Sequence, residues 1–140
     1  MPDTRPLPTV IGSTENALRA LLTKTLSTTR IKTYSCWVTL NVASNAPTTA
    51  SSRSWQLAVA ELLKVGVHEV HEAVAELRTS NLLDHDDAVT ALGASELARG
   101  RSAVSTVTSR LIEGISDEEQ TTARLVLDHV RCRAEELLRL

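Results

Sequence analysis

The chain has 140 residues, 15 basic and 17 acidic, a net charge of −2 with neutral histidine, and 42% hydrophobic against 23% charged residues. That balance excludes global disorder, and scaling of surface with size buries about two-thirds of the open chain, enough for one core and too little for two independent domains. Phe is absent, Tyr34, Trp37 and Trp55 are the only rings, and five Gly and four Pro supply few turns, which excludes a many-stranded sandwich and points to aliphatic helices packed closely.

Residues 1–8 hold three of the four prolines and read as an irregular arm. A first helix is expected from near Thr9, with Ile11, Leu18, Leu21, Leu22 and Leu26 on one side, ending at Thr28-Thr29. A second fits Thr33 to about Ser44, anchored by Trp37, Val38 and Leu40 and closed by Asn45-Ala46-Pro47. The polar stretch 46–54 reads as a loop ending in a serine cap. A third helix is expected over Trp55–Lys64, with Leu57, Val59, Ala60, Leu62 and Leu63 on its buried side. Gly66 is placed to end it in the left-handed conformation. A fourth helix follows at once, over Val67–Ser80, and two short helices joined at a glycine turn have the shape of a helix-turn-helix.

Residues 81–92 read as two very short strands around the acidic turn Asp84-His85-Asp86-Asp87, a minimal hairpin. A long helix is expected over Gly93–Gly114, with Leu97, Val104, Val107, Leu111 and Ile115 in step. Ser116-Asp117-Glu118-Glu119 has the pattern of a capping box and opens a last helix carrying Val126, Leu127, Val130, Ala134, Leu137 and Leu138. No internal repeat is present.

At about 100° per residue, the fourth helix sorts into two faces. Val67, Val70, Val74 and Leu77 share one. His68, Glu72, Ala75 and Thr79 share the other, flanked by His71 and Arg78 on one side and by Glu69 and Glu76 on the other. A helix that reads the major groove needs this layout, with its outer N-terminal residues at the base edges. Any amphipathic surface helix shows it too.

The order of elements, together with three stretches, resembles the MarR family of winged helix-turn-helix transcriptional regulators over nearly the whole chain. Thr33-Tyr34-Ser35-Cys36-Trp37-Val38-Thr39-Leu40 is similar to the family's second helix. Leu57-Ala58-Val59-Ala60-Glu61-Leu62-Leu63-Lys64-Val65-Gly66-Val67 resembles its lead into the recognition helix. Thr90-Ala91-Leu92-Gly93, with Leu97 and Gly100-Arg101, resembles the stretch that follows its wing. The resemblance implies a mainly α fold: a winged helix-turn-helix lobe over 33–92 with a shortened two-strand wing, and dimerisation helices over 1–32 and 93–140. A homodimer bound to a palindromic duplex follows from it. The apolar stripes of 97–115 and 123–138, long for one chain of this size to cover, agree with a two-fold dimer.

On this reading Arg53 and Lys64 contact phosphate, and His68, His71, Ala75 and Arg78 face the groove. Tyr34 and Trp37, with Ser13 and Asn16 as polar contacts, would line the pocket in which such dimers take small aromatic effectors. The family's wing carries an arginine at its tip; residues 84–89 here hold none, and no wing contact is carried over.

Charge runs against phosphate binding in this region. Residues 53–87 hold three basic side chains, Arg53, Lys64 and Arg78, against seven acidic ones, Glu61, Glu69, Glu72, Glu76, Asp84, Asp86 and Asp87, a net of −4. Duplex affinity depends on neutralising phosphates, so binding is expected to be weak or strongly salt-sensitive. The other reading of the same features is a winged-helix dimer that has lost DNA binding and serves as a ligand- or protein-binding module.

No catalytic constellation, phosphate loop or cofactor motif is present, and no enzyme activity is expected. Cys36 and Cys132 form no metal-ligand spacing and read as inert thiols; His68-x-x-His71 reads as groove-facing rather than metal-binding. No apolar run approaches the ~18 residues of a membrane span, and the first residues form no apolar signal segment, so a soluble cytoplasmic protein is expected.

Overall fold

The computed structural model describes residues 2–47 and 51–140. Six α-helices run through them: α1 Leu7–Thr25, α2 Tyr34–Asn45, α3 Ser52–Leu63, α4 Val67–Thr79, α5 Ala91–Leu111 and α6 Asp117–Leu138. A 3-10 turn, Leu26–Thr28, follows α1. The chain forms two compact units, Met1–Val107 and Thr108–Leu140. Among the described residues no helix is long and apolar enough to cross a membrane.

In the first unit α2, α3 and α4 pack on one another and α1 packs on α2. The core is aliphatic, with Leu40, Val59, Val70, Leu77, Leu82, Leu83 and Leu97 almost fully buried and Trp55 at its edge. α1 starts two residues earlier than expected. Pro6 is its N-cap and Pro8 sits in the first turn, where a missing N–H removes no helical bond. Thr33 caps α2, its hydroxyl accepting from the Cys36 amide at 3.1 Å.

The expected loop over 46–54 falls partly on 48–50, outside the described residues. Beyond it, 52–54 are already helical, because Ser51 accepts from the Ser54 amide at 3.2 Å and starts α3 there. The end of α3 also differs from expectation. Lys64, not Gly66, takes the left-handed position (φ 56°), and the Val65 amide donates back to the Ala60 carbonyl at 3.1 Å. Gly66 is instead the N-cap of α4, with φ −72° and nothing within 4 Å of where a Cβ would stand.

The expected two-strand wing is reduced to one antiparallel bridge, Leu83 to Val89. Its turn is held by Asp84, whose Oδ1 accepts from the amides of Asp86 (2.8 Å) and Ala88 (3.0 Å). These bonds, led by the one from Ala88, hold the Asp84 carboxyl below its ordinary value. With so few residues between Leu83 and Val89, side-chain bonds take the place of a ladder.

α5 is fitted to the base of this turn. The Thr90 hydroxyl accepts from the Gly93 amide at 2.9 Å and donates to the Asn81 carbonyl at 2.6 Å. A Cβ on Gly93 would lie 2.2 Å from the Leu82 carbonyl oxygen, and one on Gly100 would lie 2.8 Å from the Trp37 ring. Both glycines therefore set close approaches. Glu96, buried, accepts from the Arg30 amide at 3.0 Å and pairs with Arg99 at 3.1 Å, tying the link between α1 and α2 to α5.

In the second unit, the turn after α5 contains Gly114 in the left-handed region (φ 83°). The capping box is formed as expected: the Glu119 amide donates to Ser116 Oγ and the Ser116 amide to Glu119 Oε1, each at 3.1 Å. The bonds from Ser116 hold the Glu119 carboxyl below its ordinary value. No residue of α6 is buried within the single chain.

Gly93→Ala must displace the Leu82 backbone and is expected to destabilise the protein by ~2–4 kcal/mol. Gly66→Ala, in open space at negative φ, is expected to stay within ~1 kcal/mol of wild type. Urea unfolding of the two variants measures both.

Candidate nucleic-acid interface

α4 owes its orientation to its apolar stripe. Val70, Ala73, Val74 and Leu77 are buried, which turns His68, His71, Glu72, Ala75 and Thr79 outward, all of them exposed. The angular reading of this helix holds except at Val67, which is 36% exposed at the first turn. His68 Nε2 lies 3.1 Å from Glu72 Oε1 one turn on, both on the solvent face.

Beside the N-terminal half of α4 is a groove of about 440 Å³, and Arg53, Gln56, His71 and Asp87 are among the residues that line it. Two of the predicted contacts, Arg53 and His71, are thus brought together. Arg53 stands in the first turn of α3, and among the described residues it makes no ion pair. Lys64 lies at the far end of α3, where its Nζ bonds Glu61 Oε1 at 2.7 Å. Ala75 is exposed in the middle of the outer face.

Arg78 differs from the sequence reading in its partner. Its Nε donates to Asp87 Oδ1 at 2.6 Å, and its Nη2 pairs with the same oxygen. The second oxygen of Asp87 accepts from Gln56 Nε2 at 3.0 Å. The Asp87 side chain is only 8% exposed and its backbone is left-handed (φ 63°). One carboxylate therefore joins α3, α4 and the wing turn. Sequence reasoning placed Asp87 in an acidic turn and did not single out Gln56. An Asp is among the few non-glycine residues that favour the left-handed region, which is the one local signal that pointed to a special role for it.

The four proposed ligand contacts are spread along α1 and α2. Ser13 and Asn16 are exposed on α1. Tyr34 is half-buried, with the Arg19 guanidinium 4.4 Å from its ring centroid, a cation–π contact that covers one face. The Trp37 ring packs against Gly100. Among the described residues no group of three or more His, Cys, Asp or Glu side chains is placed to hold a metal.

Among the described residues the fold is mainly helical, with two short helices joined at a turn and the second presenting a polar face outward. No protein-family profile matches the sequence, and no curated protein matches it. Solved structures do. The chain is similar to the transcriptional regulator PA3341 at 18% identity and a TM-score of 0.76, over 94% of this chain and 99% of that one. It is similar to a MarR-family transcriptional regulator from Rhodococcus sp. RHA1 at 19% identity and 0.70, over 91% and 96%. The MarR family protein Rv2887 of Mycobacterium tuberculosis, in complex with DNA, aligns at 18% identity and 0.68, over 90% and 98%. That protein is also known in complex with salicylic acid, at a TM-score of 0.64. This chain thus has the fold of the MarR-family transcriptional regulators.

Cys36 is packed between α2 and α4, 2% exposed, with its Sγ 3.4 Å from Glu76 Oε2. Burial pushes its thiol up to about 11, and the Glu76 carboxylate adds to the shift. The thiolate is the reactive form, so at pH 8 Cys36 remains a protonated, unreactive thiol. In a Cys132→Ser variant, titration with a thiol reagent at pH 8 is expected to find no rapidly reacting group until the protein is unfolded.

Proposed function

We propose that the chain is a MarR-type transcriptional regulator, not an enzyme, acting as a cytoplasmic homodimer that represses a promoter by binding a palindromic duplex site. The observation that carries this reading is the solvent-facing polar surface of α4 in a fold shared with a regulator known in complex with DNA. In the proposed complex His68, His71 and Ala75 meet the base edges, Arg53 and Lys64 approach phosphate, and Arg78 borders the same groove. The outward-facing amide donors at the N-terminus of a helix such as α3 help phosphate binding.

The domain organisation we propose is a single one, with residues 33–92 as the DNA-reading lobe and 1–32 and 93–140 as dimerisation helices. Its support is the apolar surface that a lone chain leaves uncovered. Neither α1 nor α6 buries a residue, and Leu125, Leu127, Leu137 and Leu138 of α6 are 48–72% exposed. Partner helices that cover such stripes are the usual remedy. A small aromatic effector that releases DNA is proposed to reach Ser13, Asn16, Tyr34 and Trp37; the salicylic acid complex of a fold neighbour motivates it. Such a ligand acts by preferring one spacing of the two α4 helices.

A second reading, loss of DNA binding with retention of the dimer as a ligand- or protein-binding module, draws on one specific observation. The lobe carries −4 over 53–87, and both Lys64 and Arg78 are paired to carboxylates.

Titration of the upstream duplex of its own gene at several salt concentrations separates the two. The regulator reading expects binding whose logarithmic salt slope is shallow, roughly −2 to −4 per dimer, reduced by about two in Arg53→Ala. A complete lack of salt-dependent duplex binding at low ionic strength selects the second reading. Light scattering is expected to give twice the chain mass in either case.

A further inference from the structure

Arg78 and Asp87 form a contact that bears directly on how tightly the proposed interface holds DNA. The guanidinium commits both Nε and Nη2 to one carboxylate oxygen of Asp87, so a phosphate that approached its outer edge would meet a cation already neutralised by a carboxylate. The Arg78 side chain is 45% exposed, so its outer half stands at the rim of α4, whereas the carboxylate beneath it is nearly buried. The carboxylate is held from one further direction, and the backbone that carries it is fixed as well. Gln56 of α3 donates to its other oxygen at 3.0 Å, and the Asp87 amide donates to the Asp84 carbonyl at 3.0 Å inside the turn. Moving Arg78 to a phosphate would leave a buried carboxylate with one neutral hydrogen bond, which is strongly unfavourable.

We propose that Asp87 is an internal competitor of DNA phosphate: it withholds the charge of Arg78 from the duplex and so keeps the affinity of the lobe low. This deepens the regulator reading and rests on it. The duplex meets a paired, locally neutral group where a free arginine would otherwise add one phosphate contact per subunit. Asp87 is thereby an affinity-setting residue that itself touches no DNA.

Asp87→Asn tests this with little disturbance. Asn shares the tolerance of Asp for a left-handed backbone, and its side-chain oxygen can still accept from Gln56. Loss of the carboxylate releases Arg78. For a duplex of random sequence, read by fluorescence anisotropy at several salt concentrations, D87N is expected to steepen the logarithmic salt slope by about two per dimer and to raise low-salt affinity on the order of tenfold. The double variant R78A/D87N should return to the wild-type slope. D86N makes the same change in net charge at an exposed neighbour and should leave the slope unchanged.

Equal slopes for D87N and wild type, with both folded by circular dichroism, would overturn the competition while leaving the regulator reading in place. So would a gain that survives in R78A/D87N, because Arg78 would then not be its source. R78A by itself, which leaves the Asp87 carboxylate to Gln56 alone, addresses the same question provided circular dichroism shows it folded: the proposal expects the wild-type slope, and a slope shallower by two would show that Arg78 already reaches phosphate. Absence of duplex binding by wild type and D87N alike would overturn both the inference and the reading beneath it.

Discussion

One carboxylate, that of Asp87, carries an unusual share of the order in the helix-turn-helix lobe. It accepts from Gln56 on α3 and from Arg78 on α4, and it sits in a turn that returns the chain to α5. The wing of this protein is one bridged residue pair, too short to be stable as a hairpin by itself. What a strand ladder would supply through backbone bonds is supplied by Asp84 capping the turn from within and by Asp87 tying it to two helices. The pairing is consistent with the charge of the region: an acidic turn carries a buried acid because a basic side chain stands opposite. That same pairing takes a cation out of a surface that has few.

The rest of the core is a response to the absence of Phe. Aliphatic side chains fill less volume than rings, so helices must approach closely. Where α5 meets the rest of the lobe, Gly93 against the Leu82 carbonyl and Gly100 against the Trp37 ring leave no room for a Cβ. The stretch from Thr90 to Gly100 thus has a physical meaning beyond its likeness to a family pattern. Thr90 caps α5, Gly93 admits the backbone at the base of the turn, and Gly100 seats the larger ring of α2. Trp37 contributes to packing at that seat.

Much of this was legible in the residues. The 100° count separated the faces of α4, the Ser116–Glu119 spacing located the start of α6, and Thr33 marked the start of α2, because each of these signals is local and acts within one turn. The boundary between α3 and α4 was less legible. Lys64-Val65-Gly66 offers one glycine, and glycine is the cheapest left-handed residue, yet Lys64 takes that conformation. The helix ends with Leu63 and Val65, on either side of Lys64, both packed on the core, and Gly66 stands two residues too late to serve as the cap. The acidic turn was legible, its strands less so, and the Asp87 contacts not at all. They join positions 9 and 31 residues apart, and no periodicity reports a contact between a turn and the sides of two helices.

The central claim is that the outer face of α4 is the surface that meets a duplex. Amide chemical-shift mapping, with the isotope-labelled protein titrated by its own upstream DNA, tests this residue by residue. The account predicts the largest changes at His68, His71 and Ala75, with neighbouring changes at the start of α3 around Arg53. Perturbations confined to α6 or to the far side of α2, with α4 silent, would contradict it.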